Sequence, residues 1–218
     1  MVKLGGSLAE SMRLPAVLEL VGRARAPVVV VPGGGAFADA VRRAQADFEF
    51  PDADAHRMAL LAMHQTGLMM AALHPRFAPV ETLAELRKVL DAGRIPVWLP
   101  YRMTERDKRI TPDWSTTSDG LAARLAERLD GAPVVLVKSC RIVPGSALVS
   151  LVLEGIVDTA FAAIVNRADL AWHVLGTGDE VALAGLLDAR ERTGHARRSS
   201  HADAPRRTAP ARAIARRR

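Results

Sequence analysis

The sequence predicts an α/β fold, a three-layer α-β-α sandwich in which helices cover both faces of a mainly parallel sheet. Several short runs rich in valine, isoleucine and leucine show no alternation with polar residues, which is typical of strands buried on both faces of a parallel sheet. Segments with helical patterning lie between these runs, and such alternation places helices on both sides of a sheet. At 218 residues, 49% of them hydrophobic, the chain can bury one substantial core.

Apolar runs predict five strands, at Met1–Leu4, Val28–Val31, Ile95–Leu99, Val134–Val137 and Trp172–Leu175. Two of the segments between them, Ala36–Ala46 and Asp52–Leu73, consist mostly of good helix formers. We therefore expect a helix in each.

Local signals mark the ends of two further helices. Thr82 and Glu85 have the spacing of a capping box, and Gly93 provides a stop for the helix that they open. Another helix begins near Ser118, carries leucines on one face and stops at Gly131.

Charge divides the chain into a domain and a tail. Residues 190–218 contain ten arginines against two acidic residues, a net charge of +8, so that the total of +6 leaves −2 for residues 1–189. The tail has almost no large apolar side chains, and this composition predicts disorder. We interpret residues 1–189 as the folded domain and residues 190–218 as a solvated, Arg-rich tail, in preference to a specific nucleic-acid-binding arm.

Cysteine content and hydropathy bear on the compartment. A single cysteine, Cys140, cannot form an intramolecular disulfide. No apolar run reaches the roughly 20 residues that a membrane helix needs, and Met1 leads directly into the first strand. The expected location is cytoplasmic, without a membrane partner.

Two glycine-rich loops follow strands. In a parallel sheet flanked by helices, ligands bind at the carboxyl ends of the strands. Gly5-Gly6-Ser7 and Gly33-Gly34-Gly35 follow two of these ends and lead toward helices, whose first N–H groups can bind phosphate. Lys3 and Lys138 stand near strand ends as well. The pattern predicts an anion site at this edge.

Two common phosphate motifs do not account for these loops. No G-x-x-x-x-G-K-[ST] occurs, which excludes a P-loop. Gly33-x-Gly35-x-x-Ala38 loosely fits a dinucleotide fingerprint, but a loop and a Met-rich helix stand where that motif requires a strand ending in an acidic residue.

The motifs VKLGGSL, VVVPGGGAFADAVR, STTSDGLAARLA and VVLVKS, in this order and spacing, resemble the amino-acid kinase family, which includes aspartate, acetylglutamate and uridylate kinases. This resemblance covers about residues 1–189. The stretches DAHRMALLAM, WLPYRM and PDWSTTSDGLA resemble the small kinases of methanofuran and methylofuran biosynthesis within that family. Those enzymes convert an aminomethyl-furan-methyl phosphate to its diphosphate with ATP.

The resemblance implies three catalytic residues. Lys3 and Lys138 would flank the transferred phosphoryl group, and Asp119 would hold both lysines in place. Phosphoryl transfer depends mainly on positioning and on electrostatic stabilisation, so two fixed cations suit the reaction. Asp119 would lie in the first turn of its helix, where a carboxylate is favoured.

Binding residues are implied in the same way. The nucleotide would contact Gly5, Gly6, Ser7, Ser139 and Asp158. The acceptor would contact Gly33, Gly34, Gly35, His56, Arg57 and Ser118, with His56 or Arg57 on its existing phosphate. ATP is the implied co-substrate and Mg²⁺ the implied ion, held mostly by phosphates and water, and no protein ligand for it is predicted.

No obvious general base accompanies these residues. A phosphomonoester has a second pKa near 6 and is already largely ionised at neutral pH, so a phosphate or carboxylate acceptor is favoured over an alcohol. Another metabolite of this kind, or a nucleotide-binding storage protein without turnover, remains an alternative to the furan phosphate.

Two further expectations concern assembly and loops. Family relatives pair through the helix that corresponds to Asp52–Leu73, which implies a homodimer or a dimer-based oligomer. The charged segment Arg102–Arg109 is either a lid over anionic ligands or a solvated loop.

Overall fold

The computed structural model of the protein describes residues 1–9 and 11–188. The predicted tail at 190–218 lies outside the described residues. Six strands form one parallel sheet in the order β3-β4-β2-β1-β5-β6. They are β1 (Val2–Leu4), β2 (Val30–Pro32), β3 (Phe77–Val80), β4 (Ile95–Trp98), β5 (Val134–Val137) and β6 (Trp172–Leu175).

Helices connect the strands and cover both faces of the sheet. They are α1 (Gly6–Ala9), α2 (Leu14–Gly22), α3 (Gly35–Phe48), α4 (Asp52–Leu73), α5 (Leu83–Asp91), α6 (Tyr101–Thr104), α7 (Ser118–Arg128), α8 (Leu148–Leu153), α9 (Thr159–Arg167) and α10 (Glu180–Asp188). The predicted three-layer α/β architecture is therefore confirmed.

Most predicted elements are present with small shifts at their ends. The helix Asp52–Leu73 and the strands Val134–Val137 and Trp172–Leu175 have the predicted bounds. The capping box at Thr82 and Glu85 is formed by reciprocal side-chain bonds. Gly93 and Gly131 both adopt positive φ after their helices, as a C-terminal glycine does.

The alternation of side chains along β1 divides the core. Val2 and Leu4 belong to the core cluster that contains α2 and α10 residues, while Leu136 of β5 belongs to the cluster that contains α7 and α9 residues. Successive side chains of a strand point to opposite faces, so Lys3 lies on the second face. This places its ammonium group on the side of the sheet where α7 packs.

All strands of the sheet run in the same direction, so the loops that follow their carboxyl ends lie at one edge of the sheet. β1 is central and pairs with β2 and with β5, with Lys3 in register with Val31 and Leu136. The loops after these three strands begin at Gly5, Gly33 and Lys138. In the part of the chain that the structure describes, no helix is both long and apolar enough to cross a membrane.

Candidate active site

A carboxylate lies between two ammonium groups at the carboxyl edge of the sheet. Asp119 Oδ2 accepts a hydrogen bond of 2.6 Å from Lys138 Nζ. Its other oxygen, Oδ1, is 2.9 Å from Lys3 Nζ and has no further hydrogen-bond partner in the described structure. Lys3 and Asp119 are 4% and 3% exposed, so these two members of the ion triad are almost completely shielded from bulk solvent.

Three separate elements hold the triad. Lys3 is fixed by strand pairing on both sides of β1, and Lys138 directly follows β5. Asp119 is the second residue of α7, where the helix dipole favours a negative charge. The triad therefore depends on the packing of α7 against the central strands, which brings residues from distant parts of the chain together.

Burial and charge act in opposite directions on the triad. Burial disfavours the carboxylate of Asp119, but the ammonium groups of Lys3 and Lys138 outweigh this and lower its pKa below the ordinary value. Burial also lowers the pKa of Lys138, and the nearby charge of Lys3 lowers it further, although Asp119 partly compensates. Asp119 is thus held ionised, and its single charge faces two cations.

The triad lines a cavity of about 720 Å³. Of the residues singled out from the sequence, this cavity contacts Lys3, Gly6, Ser7, Gly34, Gly35, His56, Ser118, Asp119, Lys138 and Asp158. Gly5, Gly33, Arg57 and Ser139 do not line it. The three catalytic candidates are thus brought together, and most of the binding candidates surround them.

The two glycine-rich loops lie in contact, backbone to backbone. A Cβ atom added at Gly6 would overlap the backbone of Gly35, and one added at Gly33 would overlap the backbone of Gly6. Gly5 and Gly33 donate their N–H groups to the carbonyls of Val137 and Leu4, at 2.9 Å and 2.8 Å. Even Gly5 and Gly33, which do not line the cavity, therefore shape its floor.

Two predicted nucleotide-binding serines contact each other. Ser7 Oγ and Ser139 Oγ are 2.6 Å apart, and both residues are exposed. Ser7 follows the first glycine loop, whereas Ser139 follows Lys138. The contact connects the loop after β1 to the loop after the neighbouring strand β5.

Both carboxylate oxygens of Asp158 accept hydrogen bonds from nearby backbone N–H groups. Its Oδ2 accepts hydrogen bonds from Thr117 N, Thr117 Oγ1 and Gly120 N at 2.8, 2.7 and 2.9 Å. Its Oδ1 accepts from Phe161 N at 2.6 Å and caps α9. Burial and the charge of Asp119 nevertheless raise the pKa of Asp158. This geometry makes Asp158 a clamp between the starts of α7 and α9.

His56 and Arg57 are neighbours with different surroundings. His56 is 4% exposed and lines the cavity. Its Nδ1 lies 3.2 Å from the carbonyl oxygen of Asp113, and its buried Nε2 has no hydrogen-bond partner among the described residues. Burial lowers the pKa of His56. Arg57 is exposed and pairs with Asp54.

Among the cavity residues that were not predicted from the sequence, Arg42 and Trp114 have the side chains best suited to contact a ligand. The guanidinium of Arg42 lies over the Trp114 ring, 4.3 Å from its centroid, and is 2.7 Å from Asp39 Oδ1. A signal for Arg42 was present, because Gly35, Asp39 and Arg42 have the spacing of one helix face. No comparable signal marks Trp114, which lies in the irregular segment before α7.

Comparisons with known proteins identify the family of the chain. A model of the amino acid kinase family matches residues 1–141. The chain is 24% identical over 201 residues to [5-(aminomethyl)furan-3-yl]methyl phosphate kinase of Methanocaldococcus jannaschii, covering 87% of this chain and 93% of that protein.

Solved structures share the fold. The uridylate kinase of Archaeoglobus fulgidus has a TM-score of 0.62 at 18% identity, over 85% of this chain and 94% of that one. The isopentenyl phosphate kinase of T. acidophilum, in a product complex, has a TM-score of 0.51 at 14% identity, over the same shares of the two chains. With the family match covering well over half of its length, the chain belongs to the amino acid kinase family and is a phosphotransferase.

Proposed function

We propose that the protein is an ATP-dependent kinase whose acceptor is the phosphate group of a small metabolite. The arrangement of Lys3, Asp119 and Lys138 carries this proposal. Two ammonium groups held on one carboxylate provide fixed positive charge at the wall of a cavity, where the charge of a transferred phosphoryl group has to be stabilised. Because β1, β5 and α7 fix the three residues, little reorganisation is needed when the phosphates bind.

A phosphate acceptor fits the absence of a dedicated base. An oxygen of the acceptor phosphate would attack the γ-phosphorus of ATP, the bond from that phosphorus to the β–γ bridging oxygen would break, and ADP would leave. The attacking oxygen is already ionised at neutral pH, so no proton has to be removed. The carboxylates of Asp119 and Asp158 already accept from lysines or backbone donors and are not free to act as bases.

We propose [5-(aminomethyl)furan-3-yl]methyl phosphate as the acceptor and its diphosphate as the product. The similarity to the Methanocaldococcus jannaschii kinase along nearly the whole domain supports this assignment. The residues of the cavity offer a complementary group for each part of such a molecule. Arg42 is a cation for the existing phosphate, and Trp114 is an aromatic surface for the furan ring.

His56 offers a partner for the aminomethyl group. If Nδ1 donates to the carbonyl of Asp113, a neutral imidazole presents Nε2 as a hydrogen-bond acceptor. The lowered pKa of His56 favours the neutral form. An ammonium group donates and cannot accept, so it complements this nitrogen. We therefore assign His56 to the amine end of the substrate and not to its phosphate.

We propose Mg²⁺ as the ion that accompanies ATP. Asp119 and Asp158, the two buried carboxylates at the cavity, already have protein partners. Among the described residues, no three side chains of the histidine, cysteine, aspartate and glutamate types form a group that could hold a metal ion. Such a site suits an ion held by nucleotide phosphates and water, as Mg²⁺ commonly is in kinases.

The decisive experiment uses the purified protein, Mg-ATP and the furan phosphate. We expect ADP and the furan diphosphate to form in equal amounts, measured by coupled ADP detection and by ³¹P NMR of the product. UMP and isopentenyl phosphate serve as comparison acceptors. Turnover with UMP or isopentenyl phosphate, and none with the furan phosphate, would show that the kinase acts on another phosphate metabolite. Tight ATP binding without turnover on any acceptor would favour a storage protein.

We also propose a dimer formed through α4. Met58, Leu61 and Leu68 recur on the helix at spacings of three and seven residues and are 40–51% exposed. An exposed apolar row on a long helix is a common subunit contact. The Leu61→Lys/Leu68→Lys double variant should be monomeric in size-exclusion chromatography with light scattering, if this helix face forms the interface. The wild type should be twice that mass.

A further inference from the structure

A second groove lies away from the active-site cavity and is strongly basic. Its volume is about 420 Å³, and it is lined by Thr82, Arg102, Met103, Arg106, Asp107, Arg124 and Arg128. Four arginines against one aspartate give this lining a net charge of +3. It shares no lining residue with the active-site cavity. The groove is therefore a separate feature of the surface.

The four arginines form two pairs with different partners. Arg124 and Arg128 are one turn apart on α7 and lie beside Asp107, with Arg124 Nε 2.7 Å and Arg128 Nη1 3.9 Å from Asp107 Oδ2. Arg102 and Arg106 have the same spacing on the opposite wall. Both are exposed, and neither has an ion-pair partner within the described part of the chain. Arg124 also pairs with Glu127. Two guanidinium groups with ion-pair partners and two without them thus line one groove.

A small recess adjoins the groove and contains polar atoms without partners. It is lined by Trp98, Thr104, Ile110 and Leu125, and by Met103, Asp107, Arg124 and Arg128, which it shares with the groove. Trp98 and Thr104 are 2% and 5% exposed. Trp98 Nε1 and Thr104 Oγ1 have no hydrogen-bond partner among the described residues. A buried polar atom without a partner is costly, so these two groups are candidates to bind something that enters from the groove.

The chemistry of these groups favours an anion. The indole N–H can only donate, and the threonine hydroxyl can donate. The recess has room for about one oxygen atom, since its volume of about 10 Å³ corresponds to a single water-sized probe. Guanidinium groups in pairs bind the remaining oxygens of a phosphate in bidentate fashion. The groove itself accommodates a second phosphate.

We propose that this groove is a second anion site, which binds the polyphosphate group of a small molecule. One phosphate oxygen occupies the recess and accepts from Trp98 and Thr104, while Arg102 and Arg106 close on the phosphates from the outer wall. Inorganic pyrophosphate and the phosphate chain of a nucleotide share this chemistry. The site is independent of the phosphoryl-transfer cavity.

The test is isothermal titration calorimetry of the full-length protein at physiological salt, in which the groove is the component of binding that is lost when its two unpaired arginines are removed. Pyrophosphate and GTP are titrated separately, and the ligand that binds more tightly identifies the source. The test variant is Arg102→Ala/Arg106→Ala. Its control, Arg25→Ala/Arg87→Ala, removes the same charge from two other exposed arginines.

We expect Arg102→Ala/Arg106→Ala to weaken binding of the preferred ligand at least about tenfold, which corresponds to two lost charge-assisted contacts. The control should bind within about twofold of the wild type. Equal binding by both double variants, or a single class of binding site in the wild type, would overturn the proposal. Turnover of the furan phosphate should be the same in both.

The recess has its own test in Thr104→Val. This change replaces a hydroxyl without a partner by a methyl group of similar size, so the melting temperature should stay the same or rise. Pyrophosphate or GTP affinity should nevertheless fall several-fold. A crystal of the wild type soaked with pyrophosphate should show phosphate density next to Trp98 Nε1 and Arg102. Unchanged affinity together with an empty groove in the soaked crystal would contradict the assignment.

Discussion

The Nζ atom of Lys138 lies 2.6 Å from Oδ2 of Asp119, although burial and the nearby Lys3 both lower the pKa of this lysine. The carboxylate thus holds together two cations that would otherwise repel each other. A ligand with several negative charges can share these cations with Asp119 and relieve the repulsion. Two neighbouring cations that disfavour each other's charge are thus favourable around a phosphoryl group.

Removal of either lysine should affect the chemical step. We expect Lys3→Ala and Lys138→Ala each to lower kcat by roughly two orders of magnitude or more, which is typical for the loss of one donor to the transition state. Steady-state ADP release measures this effect. The exposed Lys88 provides the control variant Lys88→Ala, which should have normal kcat. Near-normal rates in both active-site variants would show that the triad has no part in catalysis.

The contact between the glycine loops gives a steric prediction. Gly6→Ala would place a methyl group against the backbone of Gly35, so the loops must separate. We expect at least about a tenfold loss of kcat/KM and a lower melting temperature. Gly185→Ala is the matched control, because a Cβ atom there meets nothing within 4 Å and alanine favours the interior of α10. It should be neutral or stabilising by about 0.5–1 kcal/mol. Similar behaviour of the two variants would argue against close loop contact.

The Asp158 clamp should influence both stability and turnover. Asp158→Asn keeps the side-chain shape but replaces one acceptor oxygen by an NH₂ group, which cannot accept from Thr117 or Gly120 in the same way. We expect a loss of about 1–3 kcal/mol in the free energy of unfolding. Turnover should also decrease, because Asp119 is adjacent to Gly120 and would shift. Denaturant unfolding and ADP release test this, with the exposed Asp47→Asn as control. Unchanged values would remove Asp158 from the site's framework.

His56 should make folding stability depend on pH. Its pKa in the folded protein is lowered by burial from the ordinary value of 6.5, so the unfolded chain binds the proton more readily. Stability is therefore fully present above about pH 6.5 and decreases as the pH falls below it. His64, whose pKa is also lowered by burial, adds to the effect.

Melting temperatures between pH 7.5 and pH 5 measure this dependence. His56→Gln should flatten the acid side of the profile relative to the wild type. His173→Gln, at an exposed histidine, is the matched control variant. An acid limb of the same steepness in His56→Gln and in the wild type would mean that His56 is accessible to protons in the folded state.

Much of the fold could be predicted from patterns within single segments. The helix Asp52–Leu73 has its predicted bounds because Pro51 precedes it and Pro75 follows it closely, and both limit a helix. The strand β3 at Phe77–Val80 was missed, because it is short and contains Pro79. A proline is tolerated there because β3 is at the edge of the sheet. That position depends on the tertiary structure.

The candidate site likewise contains residues that local motifs predict and residues that only the tertiary structure brings together. Lys3, Asp119 and Lys138 could be recognised because each has a characteristic local motif, and the structure brings them together. The stacking of Arg42 on Trp114 joins α3 to the segment before α7, and no motif within either segment encodes it. Arg57 lies outside the cavity although His56 lines it, because adjacent residues of a helix point in directions about 100° apart. A step of one residue along α4 is therefore enough to separate the two side chains.

The placement of β1 also has a consequence for synthesis of the chain. The amino group of Met1 donates to the carbonyl of Pro133, 132 residues further along, and β1 lies between β2 and β5. At the usual speed of translation, β5 is synthesised roughly ten seconds after the apolar residues Val2 and Leu4. During that time β1 lacks one of its two neighbouring strands. The nascent chain must therefore be protected from premature association over that interval, and a prematurely terminated chain without β5 would leave β1 unpaired on that side.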